Sequence, residues 1–246
     1  MTGPRPRLLL GTEHPCSYLE RRLARSVFVD PQLNLDAARY GALLDLGFRR
    51  SGSYVYRPAC GTCQECRPVR VPVTDFAPDR AQRRCRRNND DLRLSIETGL
   101  GPDHYELYRR YLQARHPGGG MDPDDREAFH SFLSSAWGST ELIAARDRTG
   151  RLLAGAVVDR VPRGLSAVYT WFEPDEERRS LGTYMILVEI ERTRSLGLPY
   201  LYLGYWVPGS STMEYKRNFS PLEVLGAAGW RRVEPCHAAE TRRDEH

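Results

Sequence analysis

The sequence predicts an α+β protein, because strand and helix patterns follow one another in a regular order through its second half. Residues 141–146, 152–160 and 164–172 read as three strands joined by short turns that contain Gly150 and Gly164. Such turns join antiparallel neighbours. A helix, a strand, a short helix and two closing strands follow, at residues 181–195, 201–205, 213–219, 222–225 and 230–233.

This order of elements corresponds to a known layout. Antiparallel strands, then a helix, a strand, a helix and a final hairpin describe the GNAT-type acyltransferase fold, which is built around a bent mixed sheet. The helix at 181–195 supports this interpretation, because its apolar residues recur at helical spacing and Gly197 and Pro199 end it. The sequence therefore predicts a GNAT-like acyltransferase fold, an analogy that by itself names no substrate.

The N-terminal region differs from the rest in charge. Residues 1–90 carry 16 arginines against 9 acidic residues, a net charge of +7, whereas the remainder carries −3. A basic region joined to a mildly acidic one indicates a polyanionic partner. We therefore divide the chain into a smaller, basic, cysteine-containing N-terminal region, 1–90, and an acyltransferase domain, 91–246.

Weaker patterns predict further elements in the first half. Asn34 or Asp36 can cap a helix that Gly47 ends. The predicted helices are 33–46, 103–115 and one from Pro123 to about Trp137, and the predicted strands are 54–56, 69–73 and 92–96.

Targeting and membrane segments are not visible in the sequence. Leu8–Leu10 is too short an apolar run for a signal peptide, and no window approaches the roughly 20 apolar residues of a membrane helix. We expect a cytoplasmic protein that does not bind membranes. Disulfides are rare in that compartment, so the six cysteines need another explanation.

Four of the cysteines are spaced in a way that indicates metal binding. Cys60, Cys63 and Cys66 repeat a two-residue spacing, and Cys16 lies upstream. Such a set can form a tetrahedral thiolate site suited to zinc or an iron–sulfur cluster. A standard zinc ribbon has a second Cys-x-x-Cys pair, which is missing here, so free thiols are the alternative. The other two cysteines are read as small buried hydrophobic residues: Cys85 and Cys236.

One lysine follows the aromatic segment 200–206. Lys216 is the single lysine of the chain, and the other 35 basic residues are arginines. Lysine offers a compact point charge, which differs chemically from the planar arginine fork. Lys216 is therefore a candidate site residue, and the alternative is a surface lysine that follows a core strand.

Short motifs spread over most of the chain resemble the bacterial aspartate/glutamate leucyltransferase family, which is related to eukaryotic arginyl-tRNA–protein transferase. Two positions depart from the family pattern: Leu19 stands where relatives often carry a second cysteine, and Glu173 replaces an expected Asp before Pro174. The matching segments are residues 16–19, 24–31, 47–52, 56–60 with Cys63, 66–68, 82–84, 87–88, 180–182, 202–206 and 213–216.

The resemblance implies an aminoacyl transfer that needs no cofactor. Leucine would move from its tRNA to the amine of a protein beginning with Asp or Glu, which would mark that protein for degradation by the N-degron route. The reaction needs little chemical catalysis from the protein, because an aminoacyl ester is already activated and a fraction of an α-amine is neutral near pH 7. Placing amine against ester supplies much of the acceleration.

Residue roles are assigned on the same basis. Tyr205 and Lys216 are expected near the reacting carbonyl or terminal ribose, and Glu173 is expected to hold the ammonium or relay its proton. Three arginines are expected to bind the acceptor carboxylate: Arg25, Arg49 and Arg50. The tRNA is expected to contact Arg80, Arg83, Arg84, Arg86 and Arg87, the helix start at Arg178, Arg179 and Ser180, and the stacking aromatics Tyr202, Tyr205, Trp206 and Tyr215.

Other functions remain open at this stage. Arginine in place of leucine would keep the class and change the donor. A small-molecule N-acetyltransferase would share the fold of the second half and bind coenzyme A. An RNA-binding module with a zinc knuckle would share the basic region and the cysteines, and would bind without turnover.

Overall fold

The N-terminal unit is a small sheet with one helix against it. The structure, a computed structural model, describes residues 7–135 and 138–233. Within them, β1, β4, β6 and β5 form a four-stranded sheet in that order, and β2 pairs with β3. The elements are β1 (Leu8–Leu10), β2 (His14–Pro15), β3 (Leu23–Ala24), β4 (Ser26–Val29), α1 (Ala37–Asp45), β5 (Arg49–Ser51) and β6 (Tyr54–Pro58).

The second unit is an eight-stranded mixed sheet in the order β14-β13-β7-β12-β11-β10-β9-β8. Its strands are β7 (Arg67–Pro72), β8 (Arg93–Glu97), β9 (Ser139–Arg146), β10 (Leu152–Val161), β11 (Gly164–Phe172), β12 (Tyr200–Trp206), β13 (Leu222–Gly226) and β14 (Gly229–Val233). Its helices are α2 (Arg80–Arg87), α3 (Pro102–Arg115), α4 (Arg126–Leu133), α5 (Leu181–Ser195) and the short 3₁₀ helices Glu177–Arg179 and Glu214–Asn218.

The predicted α+β class and the predicted order of elements from β9 to β14 are confirmed by this architecture. Two helix starts were wrong: α1 begins at Ala37, after its cap Asp36, and α4 begins at Arg126, because the Asp125 side chain accepts from the backbone amide of Ala128 and caps it there. The predicted end of that helix, Trp137, lies outside the described residues. None of the described helices is long and apolar enough to cross a membrane.

The helix α2 was not foreseen from its run of arginines. Asp79 and Gln82 form a capping box at its start, in which each side chain bonds the backbone amide of the other residue. Gln82 also donates to the carbonyl of Asn218 at 2.8 Å, and Cys85 lies on the buried face of the helix. The interpretation of Cys85 as a buried residue is therefore confirmed, whereas Cys236 lies outside the described residues.

The large sheet takes one strand from the region before residue 90. β7 lies between β12 and β13 and pairs antiparallel with both. Val69, Val71 and Cys85 pack in the same core as α5. The division at residue 90 therefore does not coincide with a division in the sheet. The local pattern of 67–72 shows a short strand but not the distant strands with which it pairs.

The sheet opens in its middle, and this opening positions the site. β11 and β12 run parallel, but they pair only from Gly164 to Ser166 on one strand and from Tyr200 to Tyr202 on the other. Beyond these pairs the two strands are no longer joined by the ladder. We call the opening past Ser166 and Tyr202 the β11–β12 gap.

A buried ion pair anchors the N-terminal unit on the large sheet. Arg50 of β5 donates to both carboxylate oxygens of Asp159 in β10, at 2.9 Å from Nη2 to Oδ1, and neither side chain is exposed. Arg50 also donates to the carbonyls of Phe132, Leu133 and Ser134 at the end of α4. The Arg50 guanidinium is therefore engaged within the protein, and this geometry does not favour the expected contact with the acceptor carboxylate.

Replacement of Arg50 by Met should lower the free energy of unfolding by about 3–5 kcal/mol, because it leaves the Asp159 charge buried and unpaired. The control is Arg163→Gln, which removes the more exposed Arg163–Asp45 ion pair and should cost about 0–1 kcal/mol. Urea denaturation of both variants measures the difference. Equal stabilities would contradict a structural role for the Arg50–Asp159 pair.

Candidate active site

Arg49 reaches into the β11–β12 gap. Its Nη2 donates to the carbonyls of Ala167 and Val168, each at 3.2 Å, on the part of β11 that has left the ladder. Across the gap, β12 carries a register shift between Tyr202 and Gly204, and Gly204 has φ +75°. A side chain at Gly204 would collide with the Arg49 guanidinium. Glycine therefore makes room for a cation inside the opening.

Lys216 is buried beside the same gap. Only 4% of it is exposed, and its Nζ donates to the carbonyl of Tyr205 at 2.6 Å and lies 3.3 Å from Met213 Sδ. Burial and then the charge of Arg49 lower the pKa of Lys216 well below its usual value. The interpretation of Lys216 as a surface lysine is wrong. The structure brings Lys216 and Tyr205 together, as expected of two site residues.

Tyr205 joins the gap to the N-terminal unit. Its hydroxyl donates to the carbonyl of Gly47 at 2.8 Å, and its ring lies 5.9 Å from the Arg49 guanidinium carbon. The residue is 1% exposed, and burial raises its pKa. The Tyr205 hydroxyl therefore links the two units. Tyr205 also lines the cavity that is described next.

This cavity, of about 670 Å³, lies between the small sheet and the end of β12. Among the described residues that line it, four are arginines and none is acidic: Arg22, Arg25, Arg57 and Arg67. Arg25 is paired with Glu13 through Nη2 at 2.8 Å, whereas its Nε is buried without a hydrogen-bond partner among the described residues. The cavity therefore suits an anionic group. Arg25 lines it as expected of an acceptor-binding residue.

The four cysteines of the spaced motif line the same cavity. Burial and the neighbouring thiols of Cys16, Cys60 and Cys63 raise the pKa of Cys66 to about 12. Thiolates suit zinc or an iron–sulfur cluster. As placed, however, no three Cys, His, Asp or Glu side chains in the described part of the chain are grouped to hold a metal ion. The metal site stays a prediction, and the thiols are free in this arrangement.

Glu173 follows directly after the last residue of β11. It is 2% exposed, and one carboxylate oxygen accepts from Arg110 at 3.0 Å and from Arg151 at 2.6 Å. These two arginines hold its pKa below the usual range despite burial. A carboxylate held ionised by two cations is a weak proton acceptor. The structure therefore does not favour the expected proton relay through Glu173.

The expected tRNA contacts divide into exposed and engaged residues. The arginines of α2 at positions 80, 83, 84, 86 and 87 are exposed, because its opposite face buries Gln82 and Cys85. Arg178 and Ser180 are also exposed, before α5, whereas Arg179 is paired with Asp91 at 2.7 Å. A basic surface over α2 and the start of α5 is therefore present.

The aromatic residues of β12 are less available for stacking than the sequence suggested. Tyr202 is 3% exposed, and its hydroxyl donates to Asp45 at 2.7 Å, so it belongs to the core with α1. Trp206 is 7% exposed, and the guanidinium carbons of Arg67 and Arg217 lie over its ring, at 5.3 and 5.6 Å from the centroid. Both expected stacking contacts are therefore covered by protein. Tyr215 is 44% exposed and remains accessible.

Sequence reasoning missed one buried carboxyl group. Glu189 of α5 is fully buried, and its Oε1 accepts from the Thr170 hydroxyl at 3.5 Å. The signal was present, because Leu181, Met185 and Glu189 recur at four-residue spacing along the helix face that packs on the sheet. An acid on an apolar stripe is a candidate functional group.

Arg49, Lys216 and the basic cavity define a class of protein. A buried cationic gap in a GNAT-like sheet, joined to a basic N-terminal unit, is the arrangement expected of a transferase whose donor is a polyanion. Comparison with known proteins agrees with that class. The family model described as "Arginine-tRNA-protein transferase, C terminus" matches residues 103–226, and the corresponding N-terminus model matches residues 14–84.

The chain belongs to the arginine-tRNA–protein transferase family. It is 48% identical over 222 residues to a protein of Nitrosococcus oceani named aspartate/glutamate leucyltransferase, covering 90% of this chain and 93% of that protein. A protein of the same name from Saccharophagus degradans is 44% identical over 225 residues, covering 91% and 95%. The resemblance predicted from the sequence is therefore confirmed.

Solved structures are more distant. The crystal structure of FemX is 12% identical, with a TM-score of 0.49 over 82% of this chain and 83% of that chain. The structure of L-PGS from Bacillus licheniformis is 9% identical, with a TM-score of 0.44 over 70% of this chain and 52% of that chain.

Replacement of Gly204 by Ala should cost about 3 kcal/mol or more, because the new methyl group expels Arg49 and breaks two charge-assisted hydrogen bonds. The matched control is Gly209→Ala, which also has positive φ but no atom within 4 Å of the added carbon. It should cost about 1–2 kcal/mol from backbone strain alone. Thermal unfolding measures both. Equal losses would show that Arg49 does not need the space at Gly204.

Proposed function

We propose that this protein transfers leucine from leucyl-tRNA to the N-terminal amine of proteins that begin with Asp or Glu. The observation that carries the proposal is the basic cavity beside the β11–β12 gap, lined by four arginines and by no acidic residue that the structure describes. An acidic N-terminal side chain is complementary to such a cavity. The names of relatives 44–48% identical support leucine as the donor and Asp or Glu as the acceptor.

Binding and orientation account for most of the proposed mechanism. The exposed arginines of α2 would hold the tRNA backbone, and the basic cavity would hold the acceptor carboxylate through Arg25. The ester carbonyl would lie in the gap, where Arg49 and Lys216 stabilise the negative charge that develops on its oxygen. Burial strengthens that stabilisation, because the local dielectric is low.

The proposal extends to the fate of the product. The reaction needs no cofactor, because the ester is activated and the attacking amine comes from the protein substrate. A new N-terminal leucine would mark the product for degradation by the N-degron route in the cytoplasm. A metal or cluster held by Cys16, Cys60, Cys63 and Cys66 remains a proposal that carries no step of the transfer.

Labelled amino acid should pass from leucyl-tRNA to peptides that begin with Asp or Glu, and not to peptides that begin with Ala. An Asp peptide with an acetylated amine is the control, since it keeps the carboxylate and loses the nucleophile. Mass spectrometry of the peptide measures the product. Arginine transferred in place of leucine would change the donor within the class. No transfer from either tRNA would overturn the proposal.

Replacement of Arg80, Arg83, Arg84 and Arg87 by Gln should weaken tRNA binding with little change in the KM for the peptide. Each lost phosphate contact should reduce the magnitude of the slope of log K for tRNA binding against the logarithm of the salt concentration by about 0.7–0.9. The matched control is Arg160→Gln, an exposed arginine of β10. Filter binding across a salt series measures the slope. If the salt dependence of tRNA binding were unchanged in the variant with all four substitutions, α2 would not belong to the tRNA-binding surface.

A further inference from the structure

Glu189 is a buried acid with an unused oxygen. The residue is 0% exposed, and its Oε2 has no hydrogen-bond partner among the described residues. Its other oxygen accepts only a long hydrogen bond, 3.5 Å, from the hydroxyl of Thr170. Buried polar atoms in folded proteins are nearly always hydrogen-bonded, so such an orphan needs an explanation.

The position of Glu189 in the fold explains its unpaired oxygen. Thr170 lies on β11 beyond Ser166, where the β11–β12 ladder has ended, so the contact places Glu189 along the open part of that strand. Tyr215 belongs to the 3₁₀ helix that contains Lys216, and its pKa is raised to about 12, by burial first and by the charge of Glu189 second. Glu189 therefore lies beside the gap in which we place the ester.

Among the described residues, no cation contributes to the pKa of Glu189, whose shift comes from burial and from the Thr170 hydroxyl. Burial raises the pKa of Glu189 to about 8, and the Thr170 hydroxyl opposes that shift. The strands packed against α5 present apolar side chains: Ala154, Ala156 and Val158 from β10, and Leu201 and Leu203 from β12. From α2, Arg86 lies 3.9 Å from Glu191, and the Cys85 thiol donates to the carbonyls of Arg179 and Ser180.

A primary amine is the ligand that this environment lacks. The ammonium form would supply the missing positive charge and donate to Oε2. The pKa of an α-amine is about 7.7–8.0, close to that of Glu189. Proton transfer between two groups of matched pKa is nearly thermoneutral, which is the condition that favours general acid–base catalysis.

We propose that Glu189 is a catalytic residue that accepts the proton of the attacking N-terminal amine. This inference rests on the proposed transfer of an amino acid to a protein N-terminus. The chemical class of its ligand is an unprotonated or protonated primary amine, and the acidic side chain of the same acceptor residue occupies the basic cavity.

The step balances without a further reactant. The nitrogen of the neutral amine attacks the ester carbonyl, and a C–N bond forms as the C–O bond to the terminal ribose breaks. The nitrogen loses one proton to Oε2 of Glu189, and the ribose oxygen leaves as a hydroxyl with the proton that Glu189 returns. The step uses the ionised form of Glu189 and the neutral amine, so a protonated Glu189 or an acceptor that enters as ammonium first releases one proton to solvent.

The test is Glu189→Gln, which keeps the shape and cannot accept a proton. At pH 7 we expect kcat/KM for an Asp peptide to fall about 100-fold, within the range for a lost general base. The matched control is Glu191→Gln, an exposed acid two residues along the same helix, which should stay within twofold of wild type. Thermal unfolding of each variant confirms that the fold is intact.

A second peptide substrate distinguishes a catalytic role of Glu189 from a purely structural one. Fluorine on the N-terminal Asp lowers the pKa of its amine, so the nitrogen loses its proton more readily without help. The Glu189→Gln defect should then shrink from about 100-fold to less than about fivefold. Glu189→Asp, which keeps the carboxylate, should recover part of the activity on the ordinary peptide.

The outcomes distinguish the two proposals. If wild type transfers no amino acid, the proposed function fails. If wild type transfers leucine and Glu189→Gln does so equally well, or loses the same factor on both peptides, the role of Glu189 is overturned while the function stands. If Glu189→Gln fails to fold, the Glu189→Asp variant is the test instead. Complete loss of activity of Glu189→Asp on both the ordinary and the fluorinated peptide would also contradict the inference.

Discussion

The whole arrangement depends on one guanidinium group inside the central sheet. Past Ser166, β11 is no longer paired with β12, and Arg49 of the N-terminal unit donates to the carbonyls of Ala167 and Val168 on that part of β11. An unpaired buried carbonyl destabilises a fold as much as a lost hydrogen bond. Arg49 therefore keeps the sheet open and stable at once. It also ties the N-terminal unit to the place where the reaction is proposed to occur.

Other contacts between the units converge on the same place. Tyr205 bonds the carbonyl of Gly47, two residues before Arg49, and Tyr202 bonds Asp45 at the end of α1. β7 completes the sheet beside β12. These contacts fix the basic cavity relative to the gap, because both are built on β12. The two substrates of the proposed transfer, an aminoacyl-tRNA and an acceptor with an acidic N-terminal residue, would then meet at a rigid junction rather than at a mobile domain interface.

Local periodicity predicted the strands and helices from β9 onward, because strands alternate every two residues and helices every 3.6. It could not predict where β7 pairs, since pairing depends on distant chain. The partners of Arg49 and Arg50 could not be predicted from the sequence for the same reason. Adjacent residues in a strand point to opposite faces, so Arg49 enters the gap while Arg50 meets Asp159. Glu189 was within reach of the sequence, as an acid in an apolar stripe.

The ionisable groups beside the gap are displaced toward their neutral forms. Burial lowers the pKa of Lys216 and raises that of Glu189 to about 8, since each charged form loses its hydration. Of Arg49, Lys216 and Glu189, Arg49 alone keeps a fixed charge at every accessible pH. The empty site therefore avoids much of the cost of buried charge. In the proposed step, an arriving ammonium would stabilise the carboxylate form of Glu189, and Glu189 becomes neutral again when it accepts the proton of the amine.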